Sequence, residues 1–373
     1  MSDGKHAARH IVVIGGGAAG CAAAYYLSKA GARVTIIERE GVGNGASGWS
    51  AGGLNPLQGI PDPILGLAME SYRLHLELWP ELKQHSSQNL ESGLISMAYV
   101  APDAASIPAL KTQGEAFEAA DGFTARWIET DELRRLEPRI TPNVAGALLT
   151  HGNAVLESQR LTVALSEAAQ QLGATLTDGN VTGLVHDDRR VTGVLLDDAI
   201  IPCDAVVVAM GPWSGAAEAW LGVPLPVGPL KGEIVRMKIA GAPLPFDIVA
   251  PGISLFARPG GEVWLASTQQ QLGFDREISE WGYRTLFDAA VTLMPSIKDA
   301  TLVQQTACLR PVTPDDLPIV GGVPGWQGAY VATAGGTKGI LLAPGMGKAI
   351  ADLVLTGQTS ISIAGASLER FSM

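Results

Sequence analysis

The run Ile11-Val-Val-Ile-Gly-Gly-Gly-Ala-Ala-Gly20 restricts the fold of this chain more than any other feature. An apolar strand leads straight into Gly15-x-Gly17-x-x-Gly20, and a second strand, Arg33-Val-Thr-Ile-Ile-Glu38, ends on an acid. Gly15 permits a tight turn, Gly17 lets the backbone approach a pyrophosphate, and Gly20 lets the following helix sit close to the sheet. Ala18 to Ala30 reads as that helix, stopped by Gly31. Its N-terminus offers unpaired N–H groups and the positive end of a dipole to phosphate oxygens. Glu38 lies eighteen residues beyond Gly20, near the spacing of a carboxylate that binds a ribose hydroxyl. Strand, turn, helix and acid together predict a dinucleotide-binding βαβ unit.

A signal peptide is the competing reading, because Lys5, His6, Arg9 and His10 precede an apolar run that reaches Leu27. Glycines interrupt that run and another strand follows it, so cleavage would remove the nucleotide site. No other window offers about twenty uninterrupted apolar residues. The chain is therefore read as soluble and cytoplasmic, without an integral membrane segment.

At 373 residues and 47% hydrophobic, the chain can bury the cores of two domains. A net charge of −11 argues against nucleic acid or an anionic membrane as partner, so positive charge at a site must be local. Cys21, Cys203 and Cys308 fit a reducing compartment. No metal site is expected, since the histidines and cysteines lack ligand spacing.

Further along, Gly41 to Gly53 reads as a glycine-rich loop against a ligand, and Leu67 to Leu82 as an amphipathic helix ending near Pro80. A helix from Leu156 to Leu172 precedes the strand Ala174–Asp178, a hairpin around Asp187–Arg190 and the buried strand Ala205–Ala209. Pro224 to Ser267 has the short strands of an antiparallel sheet, and Gly282 to Met294 a helix covering it. The chain closes with a strand ending near Arg310, a turn at Thr313–Asp316, the strand Tyr330–Thr333 and a glycine-led helix to about Leu355.

Taken in order, these motifs resemble the FAD-dependent amine oxidoreductases of the D-amino acid oxidase type, with glycine oxidases and sarcosine oxidases as the nearest pattern. The resemblance rests on the amino-terminal glycines, Gly45-Ala-Ser47 with Ala51-Gly52-Gly53, Val206 to Ser214, Pro229-Leu-Lys-Gly-Glu233, Leu309 to Asp315 and Gly336 to Gly345. It implies FAD held along Gly15, Gly17, Ala18, Ala19 and Gly20, with Glu38 and Arg39 on the adenosine side and Val181 at the adenine through its backbone. Ala46, Ser47, Gly52 and Gly53 would line the pyrophosphate and flavin, with Gly211 and Trp213 in the same set. Gly336, Thr337, Lys338, Gly339 and Ile340 would cradle the flavin's pyrimidine edge, where a helix N-terminus favours the negative charge of the reduced ring. Helix capping is the alternative reading of the late glycines, but three glycines around Thr337 and Lys338 exceed what a cap requires; Trp213 and Trp264, read by themselves, look like core aromatics.

The resemblance also makes Arg310 the ligand of the substrate carboxylate, and Lys338 joins it in the catalytic set. A planar guanidinium suits a carboxylate through two parallel hydrogen bonds. An arginine between Leu309 and Pro311 needs an anionic partner, either a substrate or a structural acid such as Asp315 or Asp316. The family's active-site tyrosine should fall near Ser254 or Leu255, but no tyrosine occurs between Pro224 and Gln271. Cys308 stands where sarcosine oxidases link covalently to flavin. FAD is expected to be noncovalent here, with a bond through Cys308 as the alternative. Cys21 and Cys203 read as packing residues, and His151 as a hydrogen-bonded loop histidine.

The predicted architecture is α/β, α+β overall: a Rossmann-like FAD domain (1–75, 148–216 and 306–373) interleaved with a mainly antiparallel substrate domain (76–147 and 217–305). The predicted reaction is dehydrogenation of a small amino acid or N-substituted glycine at its Cα–N bond, with oxygen or a quinone taking the electrons; a homo-oligomer is left open. The alternatives are an FAD-dependent 2-hydroxy-acid dehydrogenase and a nucleotide-binding module without catalysis.

Overall fold

In the computed structural model, which describes residues 9–371, three sheets form: the two larger ones share one cavity, and a small antiparallel sheet of Val181–Asp187, Arg190–Leu196 and Ala199–Pro202 contains the hairpin expected around Asp187–Arg190. Lys5 and His6 lie outside the described residues. The six-stranded sheet runs in the order Ile319–Gly322, Ala329–Thr333, Ala205–Val208, His10–Ile14, Arg33–Glu38, Thr175–Asp178. Its members pair in parallel except at the Ile319–Gly322 edge. His10–Ile14 is central and buried throughout, which accounts for its unbroken apolar sequence: helices cover both faces of a parallel sheet. The helix Ala18–Lys29 packs against Gly339–Thr356 and Ser158–Gln171.

Gly339–Thr356 is a helix that carries Pro344 within it. Proline has no N–H for the Ile340 carbonyl one turn back. His75, buried on the helix Leu65–His85, fills that vacancy by donating from Nε2 to Ile340 O at 2.9 Å. Burial pushes the imidazole down to about 4, so it stays neutral. Gly336–Thr356 is long and apolar enough to cross a membrane by length and composition. Two-thirds of that window is buried against the helices just named, so composition alone does not separate a core helix from a spanning one.

The second sheet has nine strands. Its main order is Thr301–Val312, Gly228–Lys238, Glu262–Ala266, Ile253–Arg258, Asp247–Ala250, Gly93–Ala101, Gly146–Val155 and Gly53–Leu54, with Thr124–Ile128 joined to Gly146–Val155. All pairs are antiparallel except Asp247–Ala250 with Gly93–Ala101. The helix Glu280–Leu293 covers it, capped by Ser279 accepting from Gly282 N.

Three expected boundaries need correction. The cuts at 148 and 306 fall inside Gly146–Val155 and Thr301–Val312, strands hydrogen-bonded as units into the large sheet. The cut at 75 divides the continuous helix Leu65–His85, whose buried face packs on Gly339–Thr356 and Ser158–Gln171. That helix also runs through Pro80, since Leu76, whose carbonyl loses its partner, is on the exposed side.

Candidate active site

The cavity between the sheets measures about 400 Å³. On the nucleotide side its wall is mostly backbone. Gly15 has φ +113°, and a Cβ there would collide with the Ala209 carbonyl. Gly20 does not line the cavity; a side chain on it would strike the Gly15 carbonyl, so it sets the approach of helix to turn. Gly17 differs from both. A Cβ on it would meet only Ser47 Oγ, at 3.4 Å, so the space beside Gly17 is free of protein. Ala18 N donates to Ser47 Oγ at 2.9 Å, leaving the hydroxyl proton for an acceptor in the cavity.

Glu38 ends its strand with both oxygens engaged by backbone amides: Oε2 accepts from Gly16 N at 2.6 Å, and Oε1 from Arg39 N at 2.8 Å and Glu40 N at 2.7 Å. A carboxylate has about four acceptor directions, so one remains for a ribose hydroxyl. Trp213 corrects the reading of it as a core aromatic. Its ring lines the cavity, with the guanidinium of Arg39 4.4 Å and that of Arg276 5.4 Å from its centre. Arg276 also pairs with Glu40 at 2.8 Å, tying the large sheet's Ser267–Ser279 connection to the nucleotide side. Trp264, by contrast, is buried as expected.

Ala19, Ala46, Gly52, Gly53, Val181 and Gly211 also face the cavity. Gly52 has φ +76° and no room for a Cβ against the Leu156 carbonyl. Gly336–Lys338 forms a tight turn that leads into Gly339–Thr356, and all residues from Gly336 to Ile340 line the cavity. The Lys338 ammonium has no ion-pair or hydrogen-bond partner among the described residues, and burial pushes it down to about 8.

On the opposite wall stands Arg310. Its strand pairs with Gly228–Lys238, and its guanidinium crosses Gly232, where any Cβ would overlap it. Nη1 donates to Thr268 O at 3.0 Å, and no carboxylate of the described residues lies within salt-bridge reach. Asp315 pairs instead with Arg370 at 2.7 Å, and Asp316 makes no contact with Arg310. Burial lowers the guanidinium's proton affinity, the sign of a cation short of counter-charge. Cys308 lines the cavity beside it; burial raises its thiol, while Arg310 pulls the other way. Ser254 and Phe256 take the wall where a tyrosine was expected. His151 lies on a strand, exposed and bonded to Ser96 Oγ at 2.6 Å, away from the cavity.

Residues 10–353 match the family model for FAD dependent oxidoreductases, DAO. The chain belongs to that family. Its cofactor is FAD, and the glycine walls, the open face of Gly17 and the remaining acceptor of Glu38 fit it. The oxidoreductase is 31% identical over 369 residues to a glycine oxidase of Geobacillus kaustophilus, with 96% of each chain covered. A crystal structure of glycine oxidase from Geobacillus kaustophilus superposes with TM-score 0.89 at 29% identity, over 97% of this chain and 99% of that one. An iminodiacetate oxidase from Chelativorans sp. BNC1 superposes with TM-score 0.89 at 26% identity, over 96% and 98%.

Asn55 and Gln58 also line the cavity and escape a reading by motif, whereas Trp49 belongs to the Gly41–Gly53 loop expected against a ligand. Asn55 follows the glycine pair at 52–53, and that adjacency was the available signal.

Proposed function

We propose that this oxidoreductase dehydrogenates the Cα–N bond of glycine or an N-substituted glycine. The observation that carries this reading is Arg310: a half-buried guanidinium in the cavity wall, bonded to one backbone carbonyl and, among the described residues, to no acid. A substrate carboxylate would supply the missing charge, and two parallel hydrogen bonds would fix the orientation of Cα. FAD, held by the glycine turns and Glu38, would supply the two-electron acceptor for the hydride that leaves Cα. The resulting imine is hydrolysed to the keto acid and the free amine.

The protein's own contribution is placement and electrostatics. Arg310 holds the carboxylate, and Ile234, Phe256 and Ala266 present an apolar floor on which the amine is favoured in its neutral form. Lys338 and the start of Gly339–Thr356 put positive charge and N–H groups at the other wall, which would favour the negative charge that a flavin ring gains on reduction. No side chain need act as general base if the amine enters neutral. Cys308 is read as a free thiol, FAD as noncovalent, and oxygen as the electron acceptor; the similarity to oxidases supports the last point.

The test is anaerobic mixing with glycine, sarcosine and glycolate, then admission of air. Bleaching of the yellow protein by either amine, with peroxide formed on reoxidation, is expected. Bleaching by glycolate alone would replace this reading with a 2-hydroxy-acid dehydrogenase.

A further inference from the structure

We propose that Thr268 is the positioning residue of Arg310: its hydroxyl takes over a backbone hydrogen bond of the large sheet, which frees its carbonyl to hold the guanidinium in place for a carboxylate. The inference deepens the reading of Arg310 as the substrate's carboxylate site and rests on it.

The ladder between Gly228–Lys238 and the chain that leaves Glu262–Ala266 carries the argument. Ile234 stands opposite Ala266, and Lys231 opposite Gln270, in antiparallel register. Gly232 and Glu233 therefore face Ser267, Thr268 and Gln269, one residue more than a regular ladder holds, which makes a β-bulge. Ser267 and Gln269 line the cavity. Lys231 N donates to Gln270 O at 3.0 Å and Gln270 N to Lys231 O at 2.9 Å, so this pair exchanges both bonds. By the alternation of an antiparallel ladder, Glu233 and Thr268 are the next pair that should exchange both. Only half of that exchange runs through the backbone. Thr268 N donates to Glu233 O at 3.3 Å, but Glu233 N donates to Thr268 Oγ1 at 2.9 Å and not to the carbonyl. The released carbonyl accepts from Arg310 Nη1 at 3.0 Å.

Thr268 is 5% exposed, and its neighbours fix the hydroxyl in this role. Gln270 Nε2 donates both to Thr268 Oγ1 and to Glu233 Oε1, each at 3.1 Å. The buried Glu233 carboxylate is held in turn by Ser279 N at 2.9 Å, Ser279 Oγ at 2.6 Å and Gln305 Nε2 at 2.7 Å. It lies behind the sheet from Arg310, whose guanidinium crosses the preceding residue, Gly232. Thr268 thus joins a rigid polar cluster on one face to the cavity on the other. The bond to its carbonyl is the one hydrogen bond that Arg310 makes among the described residues. It sets the plane of the fork and leaves further donors for two carboxylate oxygens. A valine has nearly the shape of threonine but no hydroxyl. Glu233 N would then be buried without an acceptor, which is costly. The Thr268 carbonyl is the acceptor that the ladder offers, and its return would strip Arg310 of its anchor.

The test titrates acetate, a carboxylate with no amine to oxidise, against the FAD-loaded enzyme and reads the flavin absorbance. Thr268→Val should keep wild-type FAD content and weaken acetate binding by about tenfold, with kcat/KM for glycine falling in step. Thr268→Ser, which keeps the hydroxyl, should match wild type. In Arg310→Lys there is no fork to orient, so adding Thr268→Val should leave acetate binding unchanged. Full acetate affinity in Thr268→Val, a Thr268→Ser as weak as Thr268→Val, or an equal further loss in the Arg310→Lys background overturns the inference. If Thr268→Val does not fold, Thr268→Ala, which needs no extra room, carries the same comparisons. Arg310→Ala separates the two claims. Should it bind acetate as wild type does, the carboxylate reading of Arg310 falls and this inference with it. Should it lose acetate while Thr268→Val keeps it, that reading stands and only the role of Thr268 is refuted.

Discussion

Glu38 and Asp247 are acids in opposite sheets, and their surroundings differ in kind. Glu38 closes a strand of the parallel sheet, and three backbone amides from neighbouring turns converge on its oxygens. Asp247 is 2% exposed in the large sheet. Its Oδ1 accepts from Ala257 N at 2.8 Å, Arg258 stays 3.8 Å away, and Oδ2 has no partner among the described residues. Arg258 in turn donates to the Ala51 carbonyl in the cofactor loop. The same contrast runs along the cavity. The nucleotide wall is built mostly of backbone groups at fixed turns, with Glu38, Ser47 and Lys338 keeping capacity for the cofactor, whereas the large sheet presents the Arg310 guanidinium, which no acid of the described residues meets. A wall of the first kind binds what every member of a family shares, and a wall of the second kind is where a substrate completes the bonding.

The largest effect should come from the nucleotide wall. Gly17→Val leaves the packing intact, because the glycine's Cβ direction is open, but fills the space meant for the pyrophosphate. The purified variant should fold and lose its FAD, read from the ratio of flavin to protein absorbance; full occupancy would break the contrast between Gly17 and the packing glycines Gly15 and Gly20. Next, Arg310→Ala should keep FAD and lose about 30-fold to several thousand-fold in kcat/KM, corresponding to the roughly 2–5 kcal/mol cost of removing one partner of a buried charge pair. Arg310→Lys should restore only part, since a point charge cannot reproduce a bidentate fork. Kinetics unchanged by Arg310→Ala would remove it from the site.

Asp247 sharpens the comparison through pH. Burial raises its carboxyl to about 6 from an ordinary value of 3.8, so the folded state favours the protonated form. A group shifted upward gives its full stabilisation below its unfolded value and loses it as pH rises through the folded one. Wild type should therefore lose stability between about pH 4 and 6, by up to ~3 kcal/mol. Asp247→Asn cannot titrate, and its Tm relative to wild type should climb by several degrees across that interval. A constant difference would show that Asp247 remains ionised and that Arg258 compensates it fully.

The sequence disclosed the two walls unequally, for a physical reason. Gly15, Gly17, Gly20 and Glu38 are legible because their roles are local: a turn, a helix start and a strand end fix them within thirty residues. Arg310 was legible through the resemblance, but its lack of an acid depends on Asp315 turning to Arg370, a contact spanning 55 positions. Asn55 meets the large sheet only because Gly53–Leu54 pairs with Ala154–Val155, a register no local pattern encodes. The misplaced boundaries at 148 and 306 have the same origin: strands that look like the start or end of one domain are hydrogen-bonded into the other sheet.

The smallest effect is expected at Cys308, which tests whether the large-sheet wall touches the cofactor covalently. The thiol lines the cavity in the register position opposite Gly232 and is 7% exposed. Forming a bond to flavin requires the thiolate, the nucleophilic form. Burial raises the thiol's proton affinity and the Arg310 cation opposes that, with burial the larger influence, so the neutral thiol prevails. Acid precipitation of wild type should leave yellow flavin in the supernatant, and Cys308→Ser should behave alike, with unchanged FAD content. A yellow pellet from wild type that turns colourless in Cys308→Ser would mean that the Arg310 field outweighs burial once the cofactor is seated. The large-sheet wall would then hold the cofactor as well as the substrate.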